Sequence, residues 1–342
     1  MLHVKKEILL LSPTEHKFEN RGVFNPACIA ENGIIHLLYR ATSTANYSTI
    51  GYCQLDTPTH IAVRNEYPFL IPHEKHESQG IEDPRIVKID DTFYITYTAY
   101  DGKNALGSLI LSKDLKSFSS GKIIAPQLTY KEFELSIGST DVAKQKYLRF
   151  VQLFNHRMGP EVTQKLFIWD KDVVFFPRKI NGKLAFLHRI FPDIQIVYCN
   201  EMNELTDSFW REYLFHINEY TILKSKMPFE ASYIGAGCPP IETANGWLLI
   251  YHGVEDTHEG YKYHAGVALL DIENPTKEIG RLKNPLFSPE LDWDKLGNVN
   301  NVVFPTGSIL QGDILYIYYG AADKYIGVAS VNINDLLKEI IN

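Results

Sequence analysis

Apolar and aromatic residues fall in short runs along the chain, and turn residues separate them. One pattern recurs: a turn pair, a strand-like run, then a charged or polar residue at its end. It reads NGIIHLLYRA at 32–41, DDTFYITYTAYDG at 90–102, NGKLAFLHR at 181–189, NGWLLIYHG at 245–253 and GDILYIYYGAAD at 312–323. A second strand follows each, as in IGYCQLD at 50–56, LGSLILSKD at 106–114, IQIVYCNE at 194–201, HAGVALLD at 264–271 and YIGVASVN at 325–332. Asn-Gly and Asp/Gly pairs favour the backbone angles of tight hairpins. Dividing 342 residues by five leaves roughly 68 per unit, which is room for a four-stranded blade with long loops. The pattern therefore predicts an all-β chain, a single five-bladed β-propeller over residues 1–342. A two-sheet sandwich is the alternative. Extra length at about 120–175 reads as an inserted or elongated blade. Only NDLLKEII at 334–341 has helical spacing, which predicts a short C-terminal helix with Leu336, Leu337, Ile340 and Ile341 on one side.

In a propeller the equivalent strand ends converge. That would gather Arg40, Asp101, Arg189, His252 and Asp323 around one pocket. A knot of charge, Glu82, Asp83 and Arg85, precedes the second repeat in GIEDPRI. A turn with a surface salt bridge would explain it structurally and would be worth little. A shared polar funnel explains it together with the other strand ends.

Composition narrows the function. Acidic residues number 41 against 34 basic, a formal charge of −7, which argues against a nucleic-acid partner. No apolar segment is long enough to span a membrane. The N-terminal ILLL is too short for a secretion signal, so the expected location is cytoplasmic. Cys28, Cys53, Cys199 and Cys238 form no CxxC pair and read as small buried apolar residues rather than a disulfide framework or zinc site. Acidic residues and histidines lack ligand spacing, so no metal is expected. Trp247 reads as a core residue, and His156 and Arg157 as part of a solvated loop. The 120–175 region or the C-terminal helix could support a homo-oligomer, though neither carries a decisive apolar stripe.

GIEDPRI, FFPRKINGK, HR at 188–189, IGAGCPPIET, GWLLIYHG, YHAGVALLD, NVVFPTG and YYGAAD occur in this order. Together they resemble glycoside hydrolase family 130, the β-mannoside phosphorylases and β-mannosidases, from about Asn25 to about Asp323. The resemblance implies a five-bladed propeller. It implies inverting attack of inorganic phosphate on a β-mannoside, giving α-mannose 1-phosphate and a shortened sugar, with phosphate as co-substrate and no cofactor. Asp83 would be the catalytic acid, passing its proton through the 3-hydroxyl of the mannosyl ring. Lys171, Arg189, His252 and Tyr263 would bind phosphate. Asn25, Arg40, Glu82, Arg85, Tyr100, Asp101 and Asp323 would contact sugar. Cys238 departs from the small residue or proline common at its place, which leaves acceptor preference open.

The chemistry suits these residue types. Ordinary glycosidases need two carboxylates. A phosphorolytic inverter needs only the acid, because phosphate is already a charged nucleophile, but it needs cations to hold that dianion. Burial and Glu82 would raise the Asp83 pKa, and Arg85 would lower it. Two other functions compete: a β-mannosidase with Glu230 or Glu255 as base, and a non-catalytic sugar-binding propeller.

Overall fold

In the computed structural model, residues 2–136, 148, 151–152, 155–156, 159–163, 165–190 and 192–341 are described. Strands β2 (Gly22–Glu31), β3 (Ile34–Thr42), β4 (Ser48–Thr57) and β5 (His60–Arg64) pair antiparallel in chain order. So do β6 (Gly80–Ile89), β7 (Thr92–Tyr100), β8 (Ala105–Ser112) and β9 (Lys122–Ile123). A single parallel bridge, Ser48 to Gly80, merges these runs into one eight-stranded sheet. A second sheet holds β10 (Lys171–Phe175), β11 (Leu184–Arg189), β12 (Ile194–Cys199) and β13 (Thr221–Leu223). A third holds β14 (Tyr233–Ala236), β15 (Ile241–Thr243), β16 (Gly246–Thr257), β17 (Gly260–Leu270) and β18 (Glu278–Arg281). In the fourth, β19 (Val303–Gln311), β20 (Ile314–Ala321) and β21 (Tyr325–Asn332) are joined by the N-terminal strand β1 (Lys5–Leu11). The chain is all-β in its main architecture, and these sheets are not the two layers of a sandwich.

The hairpins form where the turn pairs predict them. Asn32-Gly33 and Asn181-Gly182 all have positive φ, from 51° to 80°, as two-residue type I′ loops require. The apolar core lies between successive runs. One cluster joins Leu38 and Ile50 to Ile86 and Ile95, another joins Phe186 to Val87, and another joins Leu187 to Trp247. Leu248 packs with Tyr319, and Tyr318 with Leu37 and Tyr39, so the last sheet also packs on the first run. The four cysteines are free and buried, and Trp247 is fully buried.

The C-terminal helix spans Ile333–Ile341 and buries Ile333, Leu336, Leu337 and Ile340, while Ile341 is exposed. Two longer helices, Tyr130–Ser136 and Asp207–Phe215, and single turns at Pro160–Thr163 and Asp292–Lys295 were not expected. The helix Asp207–Phe215 is capped by Thr206 and buries Trp210, Tyr213 and Leu214. Its aromatic content reads as strand-like, yet the i, i+3, i+4 stripe is helical. Part of 120–175 is no insertion, because Lys171–Phe175 forms β10 and starts the second sheet. His156 is exposed, and Arg157 lies outside the described residues. Among the described residues no helix is long and apolar enough to cross a membrane.

Candidate active site

Three strands are interrupted at the same place. Register shifts fall between Phe24 and Ala27 in β2, Glu82 and Arg85 in β6, and Lys171 and Val174 in β10. In each bulge one residue is left-handed: Asn25 at φ 50°, Asp83 at 53° and Asp172 at 58°. Asn and Asp tolerate this conformation better than other side-chain-bearing residues, and bulges commonly re-aim side chains beside functional sites. The proline of FNPA and of EDPR sits inside such a bulge, where a missing N–H costs no ladder bond. Asn25, Asp83 and Asp172 all line one cavity of about 200 Å³.

One half of the cavity centres on Asp83. Its Oδ1 accepts from Asn25 Nδ2 at 2.8 Å and from Arg40 Nη1 at 3.3 Å. Among the described residues no hydrogen bond falls on Oδ2. Glu82 accepts from Arg40 Nη2 at 2.6 Å and from Lys171 Nζ at 3.3 Å, tying those cations together behind Asp83. Burial by itself would raise the Asp83 pKa. Arg40, Lys171, the Asn25 hydrogen bond and Arg85 outweigh it and hold the carboxyl below its usual value. In the balance that residue types alone leave open, these partners outweigh burial and favour the ionised form of Asp83. Asp323 lies on the same wall and shifts the opposite way. Burial, with Asp83 and Glu82 adding and Arg40 and Lys171 opposing, pushes it up to about 6.

The other half centres on Asp172. Arg189 Nε donates to its Oδ2 at 2.6 Å, and His252 Nε2 and Arg85 Nη2 each lie 3.8 Å from one of its oxygens. Against the desolvation that raises it, these partners bring Asp172 down to about 2. His252 is fully buried, lies tilted against Phe304 at 4.3 Å between ring centroids, and among the described residues neither ring nitrogen has a hydrogen-bond partner. Desolvation first, then Arg189 and Arg85, lower its pKa to about 3, so the ring is neutral. Tyr233 and Tyr263 share a hydrogen bond of 2.6 Å, and the Arg189 guanidinium lies 4.9 Å from the Tyr233 ring centroid. Space for this packing depends on missing side chains. A Cβ on Gly235 would meet His252 at 2.4 Å, and one on Gly320 would meet Asn25 Oδ1 at 2.0 Å.

The structure thus brings Asn25, Arg40, Asp83, Lys171, Arg189, His252, Tyr263 and Asp323 around one cavity. Four expected residues stand elsewhere. Glu82 lies behind the wall, binding cations. Arg85 is a buried strut, donating to the carbonyls of Gly237 at 2.6 Å and Asp83 at 3.0 Å. Asp101 accepts from the backbone of Lys103 and Asn104 and caps a turn, and Tyr100 ends β7 without lining the cavity. Reasoning from sequence missed Asp172, Tyr233, Phe304, Val299 and Val302, which also line it. Asp172 was signalled only by its neighbour Lys171, and Phe304 by the NVVFPTG motif.

Three cations, Arg40, Lys171 and Arg189, face three carboxylates, one of them raised toward neutrality. Such a cavity can hold an anion beside an acid. The model of glycoside hydrolase family 130, described as beta-1,4-mannooligosaccharide phosphorylase, matches residues 6–341. The chain belongs to this family. It is 32% identical to a 1,2-beta-oligomannan phosphorylase of Thermoanaerobacter sp., covering 96% of each chain. It is 34% identical to a beta-1,2-mannobiose phosphorylase of the same organism, covering 94% of each. It shares its fold with the solved beta-1,2-mannobiose phosphorylase of Listeria innocua, at a TM-score of 0.73, 23% identity and 99% coverage of both chains. The alternative bases for a hydrolase do not reach the cavity. Glu230 is fully buried against Tyr251 and Arg281, and Glu255 pairs with His264.

Proposed function

We propose that this family 130 enzyme cleaves β-mannosides by inverting phosphorolysis. Its substrates are β-1,2- or β-1,4-linked manno-oligosaccharides or mannosyl-glucose, and its products are α-mannose 1-phosphate and a shortened sugar. The observation that carries this reading is the Asp172 half of the cavity. There Arg189 and a buried, unpartnered His252 meet two tyrosine hydroxyls, a donor set suited to an oxyanion. In this reading Lys171, Arg189, His252 and Tyr263 hold phosphate, and Asn25, Arg40 and Asp323 hold the mannosyl ring. The phosphate oxygen forms a bond to the anomeric carbon while the glycosidic carbon–oxygen bond breaks. The leaving oxygen takes the proton of Asp83 by way of the 3-hydroxyl of the ring. The surrounding cations favour its ionised form, so Asp83 takes up a proton from solvent before the bond breaks. A bound phosphate dianion offsets those cations, so the proton affinity of Asp83 rises when the nucleophile arrives.

The sheet runs and the packing of the last sheet on the first support a five-bladed propeller, with the cavity where bulged strands converge. A sugar phosphate that conserves bond energy is useful inside a cell, which supports a cytoplasmic location. The test is product formation from a panel of β-mannobioses and β-mannosyl-glucose, with and without inorganic phosphate. Mannose 1-phosphate appearing only with phosphate is the expected result. Free mannose formed equally without phosphate would establish hydrolysis instead.

A further inference from the structure

One buried polar cluster lies outside the cavity lining: Asp170, His188 and Tyr213, exposed by 0%, 0% and 3%. His188 Nδ1 lies 2.8 Å from Asp170 Oδ2, and Nε2 lies 2.7 Å from the Tyr213 hydroxyl. That hydroxyl donates to the Ile196 carbonyl at 3.1 Å. The phenol oxygen therefore bridges the ring and the β12 backbone, its one proton shared between His188 Nε2 and the Ile196 carbonyl. The other ring nitrogen faces a carboxylate, which can only accept when ionised, so Nδ1 is the side suited to donate. Asp170 Oδ1 remains buried without a hydrogen-bond partner.

The same place elsewhere in the molecule is built differently. Tyr39, Tyr97, Tyr251 and Tyr319 donate to Glu19, Glu77, Glu230 and Asp294. His188 holds the position of those tyrosines, immediately before Arg189, as Tyr39 stands before Arg40 and Tyr251 before His252. The substitution turns a one-ended bond into a two-ended strut. It ties Asp170, next to Lys171, through β11 to β12 and the helix Asp207–Phe215. Neighbouring residues in a strand point to opposite faces, so clamping His188 on one face fixes the backbone from which Arg189 leaves on the other. Lys171 and Arg189 are register partners, and both flank the clamp.

We propose that Asp170, His188 and Tyr213 form a positioning strut that sets Lys171 and Arg189 for binding an oxyanion. The inference rests on the phosphorolysis reading only for the identity of that anion, phosphate. None of the three touches substrate, and their effect is transmitted through the paired strands.

The test uses full-length Tyr213→Phe, which removes one oxygen and keeps the ring, and His188→Tyr, which installs the residue used at the other four places. Inorganic phosphate is titrated by calorimetry, and KM is measured for phosphate and for β-mannoside. A phosphate Kd and KM raised about tenfold in Tyr213→Phe, with the β-mannoside KM unmoved, is the expected result. In an Arg189→Lys background the added Tyr213→Phe should change phosphate affinity less than it does in the wild type, because part of the effect of the strut passes through that residue. Wild-type phosphate Kd in either folded variant overturns the proposal, as does an equal loss of sugar and phosphate affinity. Wild-type turnover that ignores phosphate would remove the phosphorolysis reading, while the calorimetric Kd still decides this one.

Discussion

Two sets of carboxylates, one buried and one lining the cavity, behave in opposite ways. Glu19, Glu77, Glu230 and Asp294 are exposed by 3% or less. Each accepts a tyrosine hydroxyl and at least one further donor. Glu19 adds Thr14 and Arg64, Glu77 adds the amides of His73 and Glu74, Glu230 adds Arg281, and Asp294 adds Lys6. Three of those tyrosines, Tyr39, Tyr251 and Tyr319, lie against Gly51, Gly266 and Gly327, where no side chain could fit. The cavity carboxylates Asp83, Asp172 and Asp323 sit on bulged or left-handed backbone, and Asp83 and Asp172 pair with cations that also serve the cavity. Unpartnered buried atoms of Asn25 and His252 stand beside them. A fully satisfied buried acid is a structural pin, because removing it strands its partners. An acid that lines a cavity whose other walls keep unmet hydrogen-bonding capacity belongs to a site that can take a ligand.

The sharpest way to break this contrast is one substitution from each set. Asp83→Asn should leave the melting temperature near that of wild type and cut phosphorolysis by about 10² to 10⁴, the range of a lost general acid. Retained turnover would move the acid role elsewhere in the cavity. Glu230→Gln should do the reverse. It leaves Arg281 short of its buried partner, at a cost of about 3 kcal/mol in denaturant unfolding, while turnover per folded molecule stays unchanged. A catalytic defect in folded Glu230→Gln would erase the distinction.

The hairpin repeat was legible because Asn-Gly turns and apolar runs are local signals. Arg40, Arg189, His252 and Asp323 were legible as strand ends for the same reason. Asp101 shared that signal and went elsewhere, since its carboxylate has closer partners in the amides of its own turn. Arg85 was misread because a guanidinium beside two acids resembles a ligand contact, whereas its donors go to backbone carbonyls on β14 and beyond. A second repeat is present but faint. FENRGVFNPA at 18–27, HESQGIEDPR at 76–85 and FEASYIGAGC at 229–238 align the pinned Glu19, Glu77 and Glu230 with Asn25, Asp83 and Ala236. It is hard to see because its meaning lies in a tyrosine on the next strand, which only the folded sheet brings near. Asp172 was hidden for a related reason: it counts as a site residue only through Arg189, His252 and Arg85, which come from three other strands.

His252→Asn sharpens the contrast within the cavity. Both ring nitrogens lack partners among the described residues, so the substitution breaks no hydrogen bond and should cost only the packing of the ring against Phe304, about 1 kcal/mol. In the complex it should raise the KM for phosphate about ten- to a hundredfold, the worth of a hydrogen bond to a charged group, with little change in the β-mannoside KM. A larger fall in stability without a phosphate effect would class His252 with the structural pins.

The smallest effect concerns Asp323 and pH. Its carboxyl is raised from 3.8 to about 6, chiefly by burial. A carboxyl raised on folding binds more protons folded than unfolded between those values. Its contribution to stability is therefore present below pH 3.8 and lost as pH rises through about 6. His252 runs the other way: burial lowers it from 6.5 to about 3, so its contribution is present above 6.5 and lost as pH falls through about 3. Between 3.8 and 6 the two slopes oppose each other. Asp323→Asn removes one of them. The melting temperature of the variant minus that of wild type should increase as pH rises from about 4 to about 6, then level off above about 7. Asparagine keeps the shape and cannot ionise, so the change isolates the cost of a charge at that wall. A difference that stays flat, or that moves in favour of wild type as pH rises, would mean that Arg40 and Lys171 already compensate the Asp323 charge as fully as Arg281 compensates Glu230.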